Sequence, residues 1–207
     1  SDGRRVLEET DWVVTDVGSV KGPIVAALDS PRFVGGHPMA GSEQDGIQGS
    51  SASMFEGAVW VLTPTATTDP KAQAMVHSVV ASFGADVITL DAAVHDQFVA
   101  MVSHVPHLTA ATLMGLAGQR STQEGRGALL RLAAGGFRDM TRIASGSPYI
   151  WPDICGDNRE AIVDVLDDLI RELTEVRSIV DGNDRNALID RLESAREGRL
   201  NLPTTAT

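Results

Sequence analysis

Three segments carry residue types that can do chemistry. The first is GGHPMAGSE (35–43), where His37 stands between glycines and a proline. A neutral imidazole titrates near working pH and can accept a hydrogen bond or a proton. Glu43, six residues on, can orient or polarise that ring. The plain alternative is a structural histidine at a turn. The second is GGFRDMTRIA (135–144), which holds Arg142 among apolar Phe137, Met140 and Ile143. An arginine in a Gly-flanked polar stretch is ordinarily a solvated charge. In a packed segment it offers a planar, two-pronged clamp for a carboxylate. Arg138 is a second cation there, and Asp139 is a partner for one of the two. The third is TDVGSVK (15–21). Its Ser19 reads either as the N-cap of a following helix or as a polar group beside an anion at that helix's positive end. Lys21 balances nearby acids. His104 and His107, spaced i and i+3, form a metal reading with His95 or Asp96. A zinc-type site needs three or four convergent ligands, and this spacing is not diagnostic. A helix-packing pair is the alternative, and no metal is expected. Trp151 reads as a core aromatic or a site wall, and His77 as a surface residue.

These residues need elements to bring them together. Strand signals fall at 11–16, 32–35, 57–62 and 87–90, and helical ones at 20–28, with Pro23 in the first turn, and at 70–83. Strands alternating with helices predict a parallel or mixed α/β sheet. After Asp91 the pattern becomes helical. A mostly apolar stretch at 92–118 is expected to break at Pro106, and a short helix follows at 127–134. Gly135 and Gly136 are expected to end that helix and open a polar stretch to Ser147. Ser147 is placed as the N-cap of a short helix that begins at Pro148. Asp157, with Glu160, is placed as the capping box of a long helix. Its apolar stripe is Ile162, Val165, Leu166, Leu169, Leu173 and Val176. Asp181-Gly182 stops it, and a last amphipathic helix covers 184–197. The expected division is 1–91 and 92–207. The wide stripe of the second part predicts dimerisation. A strand this close to the first residue needs neighbours on both sides, so a fragment is expected.

The formal net charge of −11 argues against nucleic acid, which demands clustered Lys and Arg. Any anionic ligand must then be held by a few local cations. One cysteine, Cys155, makes no internal disulfide. No run is read as long and apolar enough to span a bilayer, and no signal peptide is seen. A cytoplasmic protein is expected.

TDVGSVK (15–21), GGHPMAGSE (35–43), SHVPH (103–107) and GGFRDMTRIA (135–144), with Trp151 following, resemble the prephenate/arogenate dehydrogenase family across nearly the whole chain. The resemblance implies an α/β fold followed by an all-α one. The first is the C-terminal part of a Rossmann-like NAD-binding domain, and the second a helical substrate-binding and dimerisation domain of the 6-phosphogluconate-dehydrogenase-like kind. It implies a homodimer, NAD or NADP as cofactor, and oxidative decarboxylation of prephenate to 4-hydroxyphenylpyruvate, or of arogenate to tyrosine. It implies that His37 accepts a hydrogen bond from the substrate's ring hydroxyl, with Ser19 and Glu43 as catalytic partners. It places Arg142, His107, Gly135 and Trp151 at the substrate, with His104 and His95 in support. Asp16, Gly18 and Ser19 are placed at the cofactor. The family's Gly-rich phosphate loop is not among these residues, so weak NAD binding is expected of this stretch alone. Two other readings compete. One is a helical dimerisation fragment without activity. The other is a dehydrogenase of a different hydroxy acid, against which HPMAGSE argues.

Overall fold

The structure, a computed structural model, describes residues 2–41, 46–123 and 128–202. Its contacts divide the chain into two compact units, Ser1–Ile162 and Val163–Thr207.

The first unit opens with α1 (Asp2–Glu9), β1 (Val14–Thr15), α2 (Gly22–Ala27), β2 (Phe33–Pro38), β3 (Val59–Thr63), α3 (Pro70–Ala81) and β4 (Asp86–Thr89). The strands lie in the order β1-β2-β3-β4. β1 is parallel to β2, β2 antiparallel to β3, and β3 parallel to β4, so the sheet is mixed. Successive side chains of a strand face opposite ways. Phe33 accordingly joins Leu7, Val25 and Leu28 of the α1/α2 side. Val34 joins Trp60, Leu62, Ala72, Val76 and Val80 on the α3 side. Val34 and Leu62 are fully buried, and burial of such a side chain stabilises by about 1.5–3 kcal/mol. β2 extends further than the pattern suggested, so His37 lies within the strand and pairs with Val61. The glycines before it are sterically required. A Cβ on Gly36 would lie 2.7 Å from the Asp16 carbonyl, and one on Gly35 would overlap Thr63 Oγ1.

The rest of the unit is helical. α4 (Ala92–Val99) begins at Asp91, whose side chain accepts from the Ala93 amide at 2.8 Å. It runs through a π turn (Ala100–His104) into α5 (Val105–Gln123). The helix does not break at Pro106. Instead the turn ahead of it widens, with the Val105 amide reaching the Ala100 carbonyl, and the chain continues past a residue that lacks an N–H. Residues Ala92–Ser121 are together long and apolar enough to cross a membrane by length and composition, which corrects the expectation above. His95, Asp96 and His104 are nonetheless buried against protein on this stretch. α6 (Ala128–Arg131), α7 (Gly135–Thr141) and a 3₁₀ turn (Arg142–Ser145) follow. Gly135 and Gly136 thus begin a helix where a polar stretch was expected, because α7 and the 3₁₀ turn pack on α5. A 3₁₀ turn (Pro148–Ile150), with no side-chain cap from Ser147, leads into α8 (Trp151–Asp157). Asp157 closes α8, and α9 (Arg159–Asp181) starts two residues later.

The second unit holds most of α9 and α10 (Arg185–Leu200). Asp184 caps α10 by accepting from the Ala187 amide at 3.0 Å. Arg191 pairs with Glu172 and Glu175. Val163, Ile170, Leu173 and Val180 of α9 are exposed.

Candidate active site

His37 stands at the end of β2, half-buried, and its ring meets α4. Its Nδ1 lies 2.8 Å from His95 Nε2, and the rings cross at 73°. His95 Nδ1 lies 2.7 Å from Asp96 Oδ1. Asp96 in turn accepts from the Lys21 amide (2.8 Å) and the Gly22 amide (2.7 Å). These are among the first amides of α2, which have no partner within their own helix. Ser19 does not cap α2; its N-cap residue is Lys21, with no side-chain cap of its own. A carboxylate from another helix satisfies that end instead and favours its positive dipole.

Asp16 fixes the neighbouring loop. Its carboxylate accepts from the Gly18 amide (2.8 Å) and the Gly36 amide (2.9 Å), and pairs with Lys21 Nζ. Lys21 is fully buried and also donates to the Gly36 carbonyl at 2.7 Å. Burial lowers its pKa, against the pull of Asp16. Both oxygens of Asp16 are therefore engaged within the protein, and its visible task is to hold Gly18 and Ser19. Those two line an open cleft of about 570 Å³, walled opposite by Tyr149, Ile150, Asp153 and Ile154. Nicotinamide cofactors bind open α/β sheets beyond the carboxyl ends of their strands. The Gly18-Ser19 loop lies just past the carboxyl end of β1.

Asn158, between α8 and α9, extends the network. Its Nδ2 donates to the Asp96 carbonyl at 2.8 Å and lies 3.2 Å from His104 Nδ1. His104 meets Trp151 edge to face, and Trp151 stacks on His107 at 3.7 Å between centroids. A Cβ on Gly146, just after the Arg142–Ser145 turn, would lie 3.8 Å from His107 Cε1. A continuous wall therefore runs from His37 through His95, Asp96, Asn158 and His104 to Trp151 and His107. Arg142 is exposed at the start of the turn that packs on α5. Gly135 is exposed as the first residue of α7. His77 is exposed on α3. Glu43 lies outside the described residues. No metal-binding group of three or more His, Cys, Asp or Glu occurs among the described residues.

Two features had no clear signal in the sequence. Asn158 looked like part of a helix start. The meeting of His37 with His95 spans 58 positions, and only the implied supporting role of His95 pointed towards it.

Burial, then His95, Lys21 and His104, lower the His37 pKa to about 4, with Asp16 opposing. Burial also lowers His104 and His107. Between the ordinary value of 6.5 and about 4, the unfolded chain binds protons that the folded His37 refuses. Stability therefore rises with pH across this window. It is complete above the ordinary histidine value and lost as pH falls. Thermal melts should show Tm declining steadily from about pH 7 to about pH 4.5. A flat or rising Tm would contradict neutral buried rings.

The fold and this cleft define a class: a nucleotide-binding α/β layer joined to a helical domain, with a histidine at their junction. Family models agree. Residues 5–89 match the prephenate dehydrogenase nucleotide-binding domain, and residues 91–194 its dimerization domain. The prephenate dehydrogenase of Bacillus subtilis strain 168 is 37% identical over 201 residues, 94% of this chain and 53% of that protein. A crystal structure of prephenate dehydrogenase from Aquifex aeolicus with hydroxyphenyl propionate and NAD+ superimposes with a TM-score of 0.88. It is 33% identical and covers 96% of this chain and 70% of that one. Arogenate dehydrogenase from Synechocystis gives a TM-score of 0.83 at 30% identity, with 96% and 73% covered. The chain belongs to the prephenate dehydrogenase family. It spans about half the length of the Bacillus relative.

Proposed function

We propose that the full-length protein is an NAD(P)-dependent dehydrogenase that converts prephenate to 4-hydroxyphenylpyruvate and carbon dioxide. The observation that carries this reading is the continuous wall from His37 to Trp151 and His107, beside the cleft that Gly18 and Ser19 open. A six-membered ring with acidic arms needs such a surface, with a base at one end and a cation near the other. The Gly18-Ser19 loop would hold the nicotinamide, which would supply the hydride acceptor for the ring carbon that bears the hydroxyl. His37 takes the hydroxyl proton as the hydride leaves, and returns it to the phenolate oxygen once the ring carboxylate has departed as carbon dioxide and the ring is aromatic. Aromatisation drives the reaction, so the residues' work is positioning and electrostatics. Arg142 clamps a substrate carboxylate, and His107 and Trp151 wall the ring. Gly135 and Glu43 stay assigned to this site on the family resemblance alone. Residues 1–91 serve the cofactor and residues 92–207 the substrate and dimerisation. The exposed apolar residues of α9 support a homodimer, which light scattering tests through the mass in solution. A cytoplasmic setting belongs to the same proposal.

Likeness to the Synechocystis arogenate dehydrogenase supports a second substrate, arogenate. The deciding experiment incubates the full-length protein with each substrate and NAD or NADP, following reduced nucleotide by absorbance. Turnover of neither overturns the reading. Arg142→Gln should raise KM about 10–100-fold and leave kcat within a few-fold, because it removes a charged hydrogen bond common to ground and transition states. An unchanged KM would remove Arg142 from the substrate.

A further inference from the structure

We infer that His95 and Asp96 are positioning residues that hold the His37 ring with its proton on Nδ1, leaving Nε2 bare toward the substrate. This rests on His37 being the proton acceptor proposed above. The argument follows from who can donate. Backbone amides only donate, and those of Lys21 and Gly22 reach one oxygen each of Asp96. Asp96 is thereby held as an ionised acceptor: burial pushes its pKa up, but the His95 bond and the two amides outweigh that and lower it. An ionised carboxylate cannot donate to His95, so His95 Nδ1, 2.7 Å away, carries the hydrogen. A neutral imidazole has one N–H, which leaves His95 Nε2 as a lone pair. His37 Nδ1, 2.8 Å from that lone pair, must then be the donor. With its single hydrogen committed there, His37 has Nε2 free to accept. A free histidine side chain favours the opposite tautomer, so the protein has selected the less common one.

The geometry also prepares the charged state. When the substrate's hydroxyl proton bonds to His37 Nε2, the Nδ1 proton stays shared with His95, and the Asp96 carboxylate balances the new positive charge one ring further back. No oxidant or further reactant is required. The pair is rigid: His95 is 1% exposed, Asp96 is 8% exposed, and Asn158 fixes the Asp96 carbonyl. Asp96 and His95 thus do for His37 what an orienting carboxylate does for a catalytic histidine directly, with one imidazole inserted.

The test reads the ring nitrogens directly. The chain has five histidines, and ¹⁵N-histidine labelling of the full chain at neutral pH resolves protonated from bare nitrogens. His37→Asn assigns the signals by deletion. The expected spectrum has His37 protonated at Nδ1 and bare at Nε2, and His95 the same. A His37 protonated at Nε2, or a His95 carrying two protons, overturns the inference. His95→Phe should release His37 to the other tautomer and lower kcat about 10–100-fold with KM little changed. His95→Gln restores an acceptor for His37 and a donor to Asp96, and should recover the tautomer and most of kcat. A His95→Phe protein that keeps both the tautomer and kcat overturns the inference as well. If that variant does not fold, the wild-type and His95→Gln spectra still decide. Loss of prephenate turnover in the wild type would refute the proposed reaction and leave the tautomer measurement standing on its own.

Discussion

His37→Asn should lower kcat by about 10²–10⁴-fold while KM changes little. Asparagine retains a short polar side chain at the end of β2 and can still donate toward His95. It cannot take up a proton. The lost interaction is therefore one that grows as the hydroxyl proton leaves, and this kind of loss appears in kcat. Burial keeps the ring neutral at working pH, so it can accept, although the same burial makes it a weaker base than a free imidazole. On the proposed reading, ground-state binding rests on other groups, namely Arg142, His107 and Trp151, which the substitution leaves in place. The measurement is steady-state kinetics of the full-length protein with prephenate, together with the affinity for the product 4-hydroxyphenylpyruvate. Intact product binding with reduced kcat supports proton transfer at His37. A kcat within about three-fold of wild type would mean that the proton goes elsewhere.

Much of this arrangement was legible in residue types, and the reason is steric. GGHP must be a close approach, since Cβ atoms on Gly35 and Gly36 would strike Thr63 and the Asp16 carbonyl. Glycines forced by packing beside a histidine are a readable sign. The helices after Asp91 and from Asp184 were legible in the change of pattern, and each aspartate caps its helix; the caps placed at Ser147 and Asp157 were not formed. The failures arose where tertiary contacts decide. Gly135 and Gly136 favour termination by propensity, yet they form the first turn of α7, which packs on α5. The i, i+3 reading of His104 and His107 set them in a helical stretch expected to break at Pro106, which it does not do. The π turn at Ala100–His104 lets His104 face inward to Asn158, while His107 stacks on Trp151. Asn158 carried no local signal because its partners lie 54 and 62 positions away. Its role exists only once α4 and α8 have packed.

Lys21→Met should destabilise the protein by about 3–5 kcal/mol, the range for removing one partner of a buried ion pair. Lysine is rarely buried, and here it is fully so, with its ammonium on Asp16 and the Gly36 carbonyl. Methionine matches the length of the side chain and keeps the apolar packing, so the change isolates the charge. Asp16 is left with the Gly18 and Gly36 amides and no cation, its side chain only 15% exposed. The damage should extend beyond stability. Asp16 ties the loop after β1 to β2 next to His37, and Lys21's own amide helps hold Asp96. Activity should therefore fall in the folded fraction as well. The control is Asp16→Asn combined with Lys21→Met. Removing both charges leaves no unpaired ion, and the double variant should be more stable than either single one, with a favourable coupling energy in the cycle. Denaturant unfolding of the four proteins measures it. If the double variant lost the sum of the two single losses, the pair would be two independent contacts, and Lys21 would not be holding the loop through Asp16.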